Sequence, residues 1–152
     1  MKLESLTREE YGDEYNSAVL EQWKTCVEMA NNNAEKRNNS NNVFITINSA
    51  LLAVITFSLD YKSILLSVVG IVLCTLWMKS IDSYKRLGRM KYLIVDEIEK
   101  KLPLTPFSCE WKELKNDHKY FTLTKIEKFM PWIFIALFSL AIIFPLTAKI
   151  IR

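Results

Sequence analysis

Apolar and polar positions along this chain are segregated into long blocks. No charged residue occurs from Val43 to Leu59, from Ser63 to Met78, or from Phe129 to Ala148. A bilayer core roughly 30 Å thick needs about 20 mostly apolar helical residues, with about 17 as the practical floor. The third run meets this length. The first two sit near the floor, and Asn42, Tyr61 and Trp77 at their ends suit the interfacial layer. A buried hairpin in a soluble core would need amphipathic elements to cover it on all sides, and too few are present. The pattern therefore predicts an all-α integral membrane protein with three transmembrane helices, a hairpin plus one, and long amphipathic cytoplasmic helices. Its parts are expected at 1–42 (N-terminal amphipathic helix), 43–78 (hairpin), 79–128 (amphipathic helix, short helix and loop) and 129–152 (third span and tail).

The polar blocks carry their own periodicity. Thr7-Arg8-Glu9-Glu10 has the form of a capping box, so a helix is expected to begin there. Tyr11, Tyr15, Val19, Trp23, Val27, Ala30 and Ala34 then recur every three or four residues, as on one face of a helix. Asn31 to Asn33, and Asn38, Asn39, Asn41 and Asn42 around Ser40, are poor helix formers at about 0.5 kcal/mol each against Ala. They predict a weakened helix or a break before the membrane. They read either as a low-complexity polar tract or as a ring of amide groups at the mouth of an assembly. After the second span Ile81, Tyr84, Leu87, Met90, Ile94, Ile98 and Leu102 predict an amphipathic continuation that ends at Pro103. A short helix capped at Ser108, a turn at Asn116-Asp117, and a second capping box at Thr124-Lys125-Ile126-Glu127 follow.

Charge sets the orientation. Basic residues near spans are retained on the cytoplasmic side, and residues 1–42 and 79–128 hold seventeen Lys and Arg against three elsewhere. The N-terminus and residues 79–128 are thus expected in the cytoplasm, with the tight hairpin turn and the C-terminus beyond the membrane. The net charge of +3 conceals an asymmetry: residues 1–42 carry five basic and eight acidic side chains, residues 79–128 twelve and eight. The two pieces are expected to lie against each other or against a neighbouring subunit, unless both are simply solvated faces, the basic one near anionic headgroups. The stretch from Met1 to Ser5 has no apolar run behind it, so the first span is expected to direct insertion. Cys26, Cys74 and Cys109 are too scattered for a disulfide framework or a zinc site.

Within the spans, small and polar residues form stripes. Asn42, Thr46, Ser49, Ala53, Thr56 and Asp60 recur at steps of four or three, and so do Ser63, Ser67, Gly70 and Cys74. Small residues let membrane helices approach closely, so both stripes could zip the hairpin together, with Ser67, Gly70 and Cys74 as its packing face. The alternative for Asn42, Thr46, Asn48, Ser49, Ala53 and Thr56 is the lining of a hydrated path, which requires several subunits. Asn48 is an amide inside an apolar span and must have a partner.

Chemistry is sparse. His118 sits in a Lys-rich loop, three glycines make no phosphate loop, and Glu110 and Glu113 read as one helix face. No enzyme activity and no cofactor or metal is expected. Expected partners are membrane lipid, further copies of the chain and a cytoplasmic protein encoded in the same operon, with Arg37, Arg86, Arg89 and Trp111 as candidate partner or lipid contacts. No nucleic acid is expected, because lipid headgroups are the nearer anion for a tethered basic stretch.

Several short motifs support a resemblance. Ala34-Glu35-Lys36-Arg37, Asn42-Val43-Phe44 and Asn48-Ser49-Ala50-Leu51 are followed by Ser80-Ile81-Asp82-Ser83-Tyr84 with Leu87 and Lys91. Then come Glu97-Ile98-Glu99-Lys100-Lys101-Leu102-Pro103, Pro106-Phe107, Glu110-Trp111, and Ile126-Glu127 with Pro131. Over about residues 20 to 145 the chain resembles small bacterial integral membrane proteins of the RipA type, and more loosely the two-span SLATT domains found beside prokaryotic conflict systems. The resemblance implies a membrane effector or accessory component that oligomerises. For the SLATT-like members it implies permeabilisation of the membrane during antiviral abortive infection. The expected function is a pore-forming or permeabilising effector triggered through its cytoplasmic helices. A non-conducting scaffold anchoring a cytoplasmic partner is the alternative.

Overall fold

The computed structural model describes residues 3, 6–57, 61–116 and 123–150, with side chains for all of these but 61 and 148–150. Asp60, Asp117 and His118 lie outside the described residues. In chain order the helices are α1 (Arg8–Tyr11), α2 (Tyr15–Phe57), α3 (Tyr61–Glu99), α4 (Pro106–Asn116) and α5 (Leu123–Ile150). No strand occurs among the described residues. Three helices, α2, α3 and α5, are long and apolar enough to cross a membrane. At 1.5 Å per residue the 43 residues of α2 span about 65 Å, more than a bilayer core takes.

The chain divides into two compact units: Met1–Lys36 with Tyr84–Phe121, and Arg37–Ser83 with Thr122–Arg152. The second contains all three uncharged runs and is the membrane unit. Its centre is Ile55 of α2, Cys74 of α3 and Phe138 of α5, ringed by half-buried apolar side chains such as Leu52, Leu66 and Phe134. Its outer surface is apolar as well. Phe129, Trp132, Leu140 and Phe144 of α5 and Leu65, Val68 and Val72 of α3 are all exposed. In water each such group forfeits about 25 cal/mol per Å² of apolar area left uncovered. Against lipid tails the same surface costs nothing of the kind, which is why an apolar exterior here signals a bilayer.

Helix ends follow local chemistry. Thr7 caps α1 as its sequence predicts: the Glu10 backbone N–H donates to the Thr7 hydroxyl at 3.3 Å, and the Glu10 carboxylate accepts from the Thr7 N–H at 2.7 Å. The Thr7 N–H, and the Thr7 hydroxyl donating at 2.9 Å, hold the Glu10 carboxyl below its ordinary pKa. The helix ends after four residues because Gly12 takes φ 88°, a left-handed conformation open to glycine. One helix from Thr7 onward was the expectation; α2 instead starts afresh at Tyr15.

The asparagine-rich stretch does not break α2, contrary to its propensity. Asn33, Asn41 and Asn48 are buried on the inward face of the helix. Asn41 and Asn48 have hydrogen-bond partners within the chain, and tertiary contacts of that kind outweigh about 0.5 kcal/mol of propensity per residue. Asn31, Asn32, Asn38, Asn39 and Asn42 are exposed. Nor does α3 break where its span ends, and its continuation stops at Glu99, a few residues before Pro103.

In the first unit, Val19 and Ala30 of α2 and Val95 and Ile98 of α3 are buried. The expected apolar face of α3 is buried at Ile98 and half-buried at Tyr84, Ile94 and Leu102, but not along its whole length. Gly88, Lys91 and Val95 turn inward while Leu87 and Met90 are exposed. Gly88 is the reason: Asn33 Nδ2 would lie 3.2 Å from a Cβ placed there, so the two helices meet at a residue without a side chain. Helix α4 begins at Pro106, a favoured first helical residue, and not at Ser108. Its leading N–H groups, those of Phe107 and Ser108, donate at 3.0 Å to the buried carboxylate of Glu99 in α3. The Ser108 hydroxyl donates to Asp96 instead of capping its own helix. Phe107 packs on Trp23 and Tyr92 at ring distances of 6.0 and 6.3 Å.

Candidate functional site

Two polar features stand out in the membrane unit, one turned inward and one outward. The inward one joins α2, α3 and α5 near the charged ends of the spans. Arg37 pairs with Glu127, and its guanidinium also donates to the Thr124 hydroxyl at 3.0 Å. Asn41 donates to the other Glu127 oxygen at 3.2 Å and accepts from the Trp77 indole N–H at 2.8 Å. Trp77, 1% exposed, stacks on Phe44 with ring planes 6° apart and meets Phe134 at 6.1 Å. Lys128 and Asp82 pair at 2.6 Å on the rim. One turn deeper, Asn48 Nδ2 donates to the Phe44 carbonyl at 2.8 Å and its Oδ1 accepts from the Cys74 thiol at 3.4 Å.

This network corrects two expectations. Thr124 and Glu127 do not form a capping box: both lie inside α5, and both are engaged by Arg37. Arg37, expected to contact a partner or lipid, is occupied within the chain. Asn48 does have its partner on another helix, as its place in an apolar span required. The network could have been suspected from Arg37 and Glu127 as charges flanking two spans, but their juxtaposition across 90 residues has no local signature.

The second-span stripe is buried, but its contacts are not confined to the hairpin. Ser67 is buried and its hydroxyl donates to the Ser63 carbonyl at 2.8 Å. Cys74 meets Asn48 of α2, whereas Gly70 faces α5: a Cβ there would fall inside van der Waals distance of three ring atoms of Phe138. Gly70→Ala is therefore expected to destabilise the membrane unit by about 1–3 kcal/mol through overpacking. A lowered thermal midpoint in detergent would record it, and restoration by the second change Phe138→Leu would assign the loss to this contact.

The first-span stripe does not zip the hairpin. Asn42, Thr46, Ser49, Ala53 and Thr56 are all exposed, whereas Asn41, Asn48 and Ile55 form the buried face of α2. Asn48 thus separates from the stripe it was grouped with. Thr46 and Thr56 donate to carbonyls of their own helix, Asn42 at 2.9 Å and Ala53 at 2.7 Å. The stripe is a strip of small and polar residues, with the Thr46 and Thr56 hydroxyls satisfied by their own helix, on an otherwise apolar exterior that also carries Val43, Val54 and Phe57. In the first unit Arg86 and Arg89 are exposed, and Trp111 is exposed with the Lys115 ammonium 5.3 Å from its ring centre. No group of three or more His, Cys, Asp or Glu side chains suited to a metal ion occurs among the described residues.

Three helices long and apolar enough to cross a membrane thus share an apolar exterior that carries an outward strip of small and polar residues. A model of the octameric membrane protein family (8xMP) matches residues 20–147. The chain belongs to that family. Comparison with curated proteins and with solved structures finds no match. The 8xMP name describes an octameric membrane protein, so membership supports a homo-oligomer, and the match covers α3, α4 and nearly all of α2 and α5. The exposed stripe of α2 is small and polar where the exposed side chains around it, Val43, Val54 and Phe57, are apolar.

Proposed function

We propose that this protein assembles as an octamer in a bacterial inner membrane and acts there as a membrane-permeabilising effector, of the kind used in antiviral abortive infection, triggered through its extramembrane helices. The observation that carries the proposal is the exposure of Asn42, Thr46, Ser49, Ala53 and Thr56 along α2 in a member of an octameric family. Small residues are favoured where membrane helices meet, and a ring of such strips places hydroxyls and an amide where copies converge. The RipA-type and SLATT-like resemblance supports the effector role. The orientation inferred from basic residues supports a cytoplasmic trigger delivered by a partner protein.

A second reading has an observation of its own. The Thr46 and Thr56 hydroxyls are turned onto their own helix backbone, which suits dry helix packing, and a non-conducting scaffold that anchors a cytoplasmic partner would use the strip in that way. Ser49→Leu and Thr56→Leu separate the two. In vesicles loaded with a small fluorescent dye, wild-type protein reconstituted together with its operon-encoded partner is expected to release dye. Ser49→Leu is expected to reduce release at least tenfold while leaving the oligomer intact. Vesicles that stay sealed, together with an unaltered membrane potential in cells expressing the protein with its operon neighbours, would favour the scaffold.

A further inference from the structure

The first unit carries two unlike exposed faces, and their chemistry points to a specific partner. On α2, Val19, Ala30 and Asn33 are buried and Trp23 and Cys26 half-buried, which fixes the inward side. Glu21, Glu28 and Glu35 lie seven residues apart, close to two helical turns, so they share one side of α2, opposite that inward face. All three are exposed. On α3, Gly88, Lys91 and Val95 turn inward, and Arg86, Arg89, Met90 and Leu93 turn away. Met90 and Leu93 are 47% and 42% exposed. The back of α2 is thus mainly acidic, with Lys24 paired to Glu21, and the back of α3 carries Arg86 and Arg89 beside an apolar centre, with Glu97 paired to Lys100 beyond it.

The two helices run antiparallel in fixed register. Asn33 meets Gly88, Cys26 and Met29 share a small cleft with Lys91 and Ile94, and Lys101 lies over the Tyr15 ring. Glu35 is therefore level with about Arg86, and Glu28 with about Leu93. A rotation axis running along the helix pair keeps each residue at its own level when copies are related by it.

From this geometry we infer that the acidic back of α2 docks on the basic back of α3 in the next copy of the chain, so that Glu35 of one copy meets Arg86 and Arg89 of its neighbour. The occupant is a second copy because Glu35 and the pair Arg86 and Arg89 are opposite in charge at matching levels. A head-to-tail contact between two different faces is also what closes a ring, whereas a two-fold contact would use the same face twice. Glu21 and Glu28 continue the acidic face, with Lys24 bonded to Glu21 at 2.8 Å. Leu93 and Met90 supply the apolar area that the contact covers, at the height of Glu28. The same seven-residue spacing continues in the sequence as Asn42, Ser49 and Thr56. The inference rests on the homo-oligomeric reading and adds its extramembrane contact.

Paired cysteines test it. Within one chain, positions 35 and 86 point away from each other across two helices of about 10 Å diameter each, while a disulfide needs Cβ atoms about 3.8 Å apart. Any 35–86 disulfide is therefore between copies. Full-length protein carrying Cys26→Ala and Cys109→Ser, with buried Cys74 retained, receives Glu35→Cys and Arg86→Cys and is oxidised in native membranes. The expected result is a ladder from dimer upward on non-reducing gels, with each single cysteine variant remaining largely monomeric. The pair Glu28→Cys with Leu93→Cys provides an independent second position. Native mass measurement of the wild type in detergent is run beside it. An intact oligomer without either ladder overturns this contact and leaves the oligomeric reading standing. Efficient dimers from Glu35→Cys alone also overturn it, since they require a two-fold contact. A wild-type monomer by mass overturns both.

Discussion

Replacing Glu127 by Ala is expected to lower the thermal midpoint of the detergent-solubilised protein by roughly 6–12 °C, among the largest effects of any single change. Glu127 accepts from Arg37 and Asn41, and its side chain and that of Arg37 are only 15% and 19% exposed. Removing one partner of a buried pair costs about 3–5 kcal/mol, because the other charge is left without compensation. The residual exposure of both side chains puts the cost near the lower end, about 3 kcal/mol. At about 2–4 °C per kcal/mol for a chain of this size the quoted shift follows. Arg37 Nε has no hydrogen-bond partner among the described residues, so Arg37 depends all the more on the contacts it has. The double change Arg37→Met with Glu127→Leu removes both charges together. It is expected to recover at least half of the loss, since uncharged side chains of similar volume avoid the desolvation penalty. Equal loss in the single and double variants would show that packing, and not the charge pair, holds this end of the membrane unit.

Trp77→Ala is expected to be at least as damaging. The side chain is 1% exposed and joins all three spans, stacking on Phe44, touching Phe134 and donating to Asn41. Truncating a buried Trp costs about 3–5 kcal/mol from lost contacts and the cavity left behind. Trp77→Phe separates the contributions. It keeps a ring against Phe44 but removes the indole N–H, leaving Asn41 Oδ1 without that donor, at about 1–3 kcal/mol. Midpoints that fall in the order wild type, Phe, Ala are the expected outcome. A Phe variant as unstable as Ala would mean that the hydrogen bond, and not ring packing, dominates.

How much of this was visible in the residues differs by element. The three spans were visible because lack of charge over 16 to 20 residues is a property of the segment alone. So was the capping box at Thr7, whose two hydrogen bonds lie within four residues. The asparagine tract was not. Propensity argued for a break in α2, but burial of Asn33, Asn41 and Asn48 against other helices reversed it. Thr124 to Glu127 and Ser108 failed for one reason. Each is a good cap by local pattern, yet each was claimed by a distant residue, Arg37 in the first case and Asp96 in the second.

The sequence by itself determined that this is a helical membrane protein with three helices apolar enough to span and charged helical segments between those runs, since bilayer thickness and helical periodicity act on contiguous residues. Only the tertiary structure decided which stripe packs inside the subunit and which turns outward. The stripes on α2 and α3 have the same spacing and nearly the same composition, and what distinguishes them is where α5 lies. Phe138 takes the space beside Gly70, Arg37 closes on Glu127, and the Asn42 to Thr56 strip is left facing away from the chain.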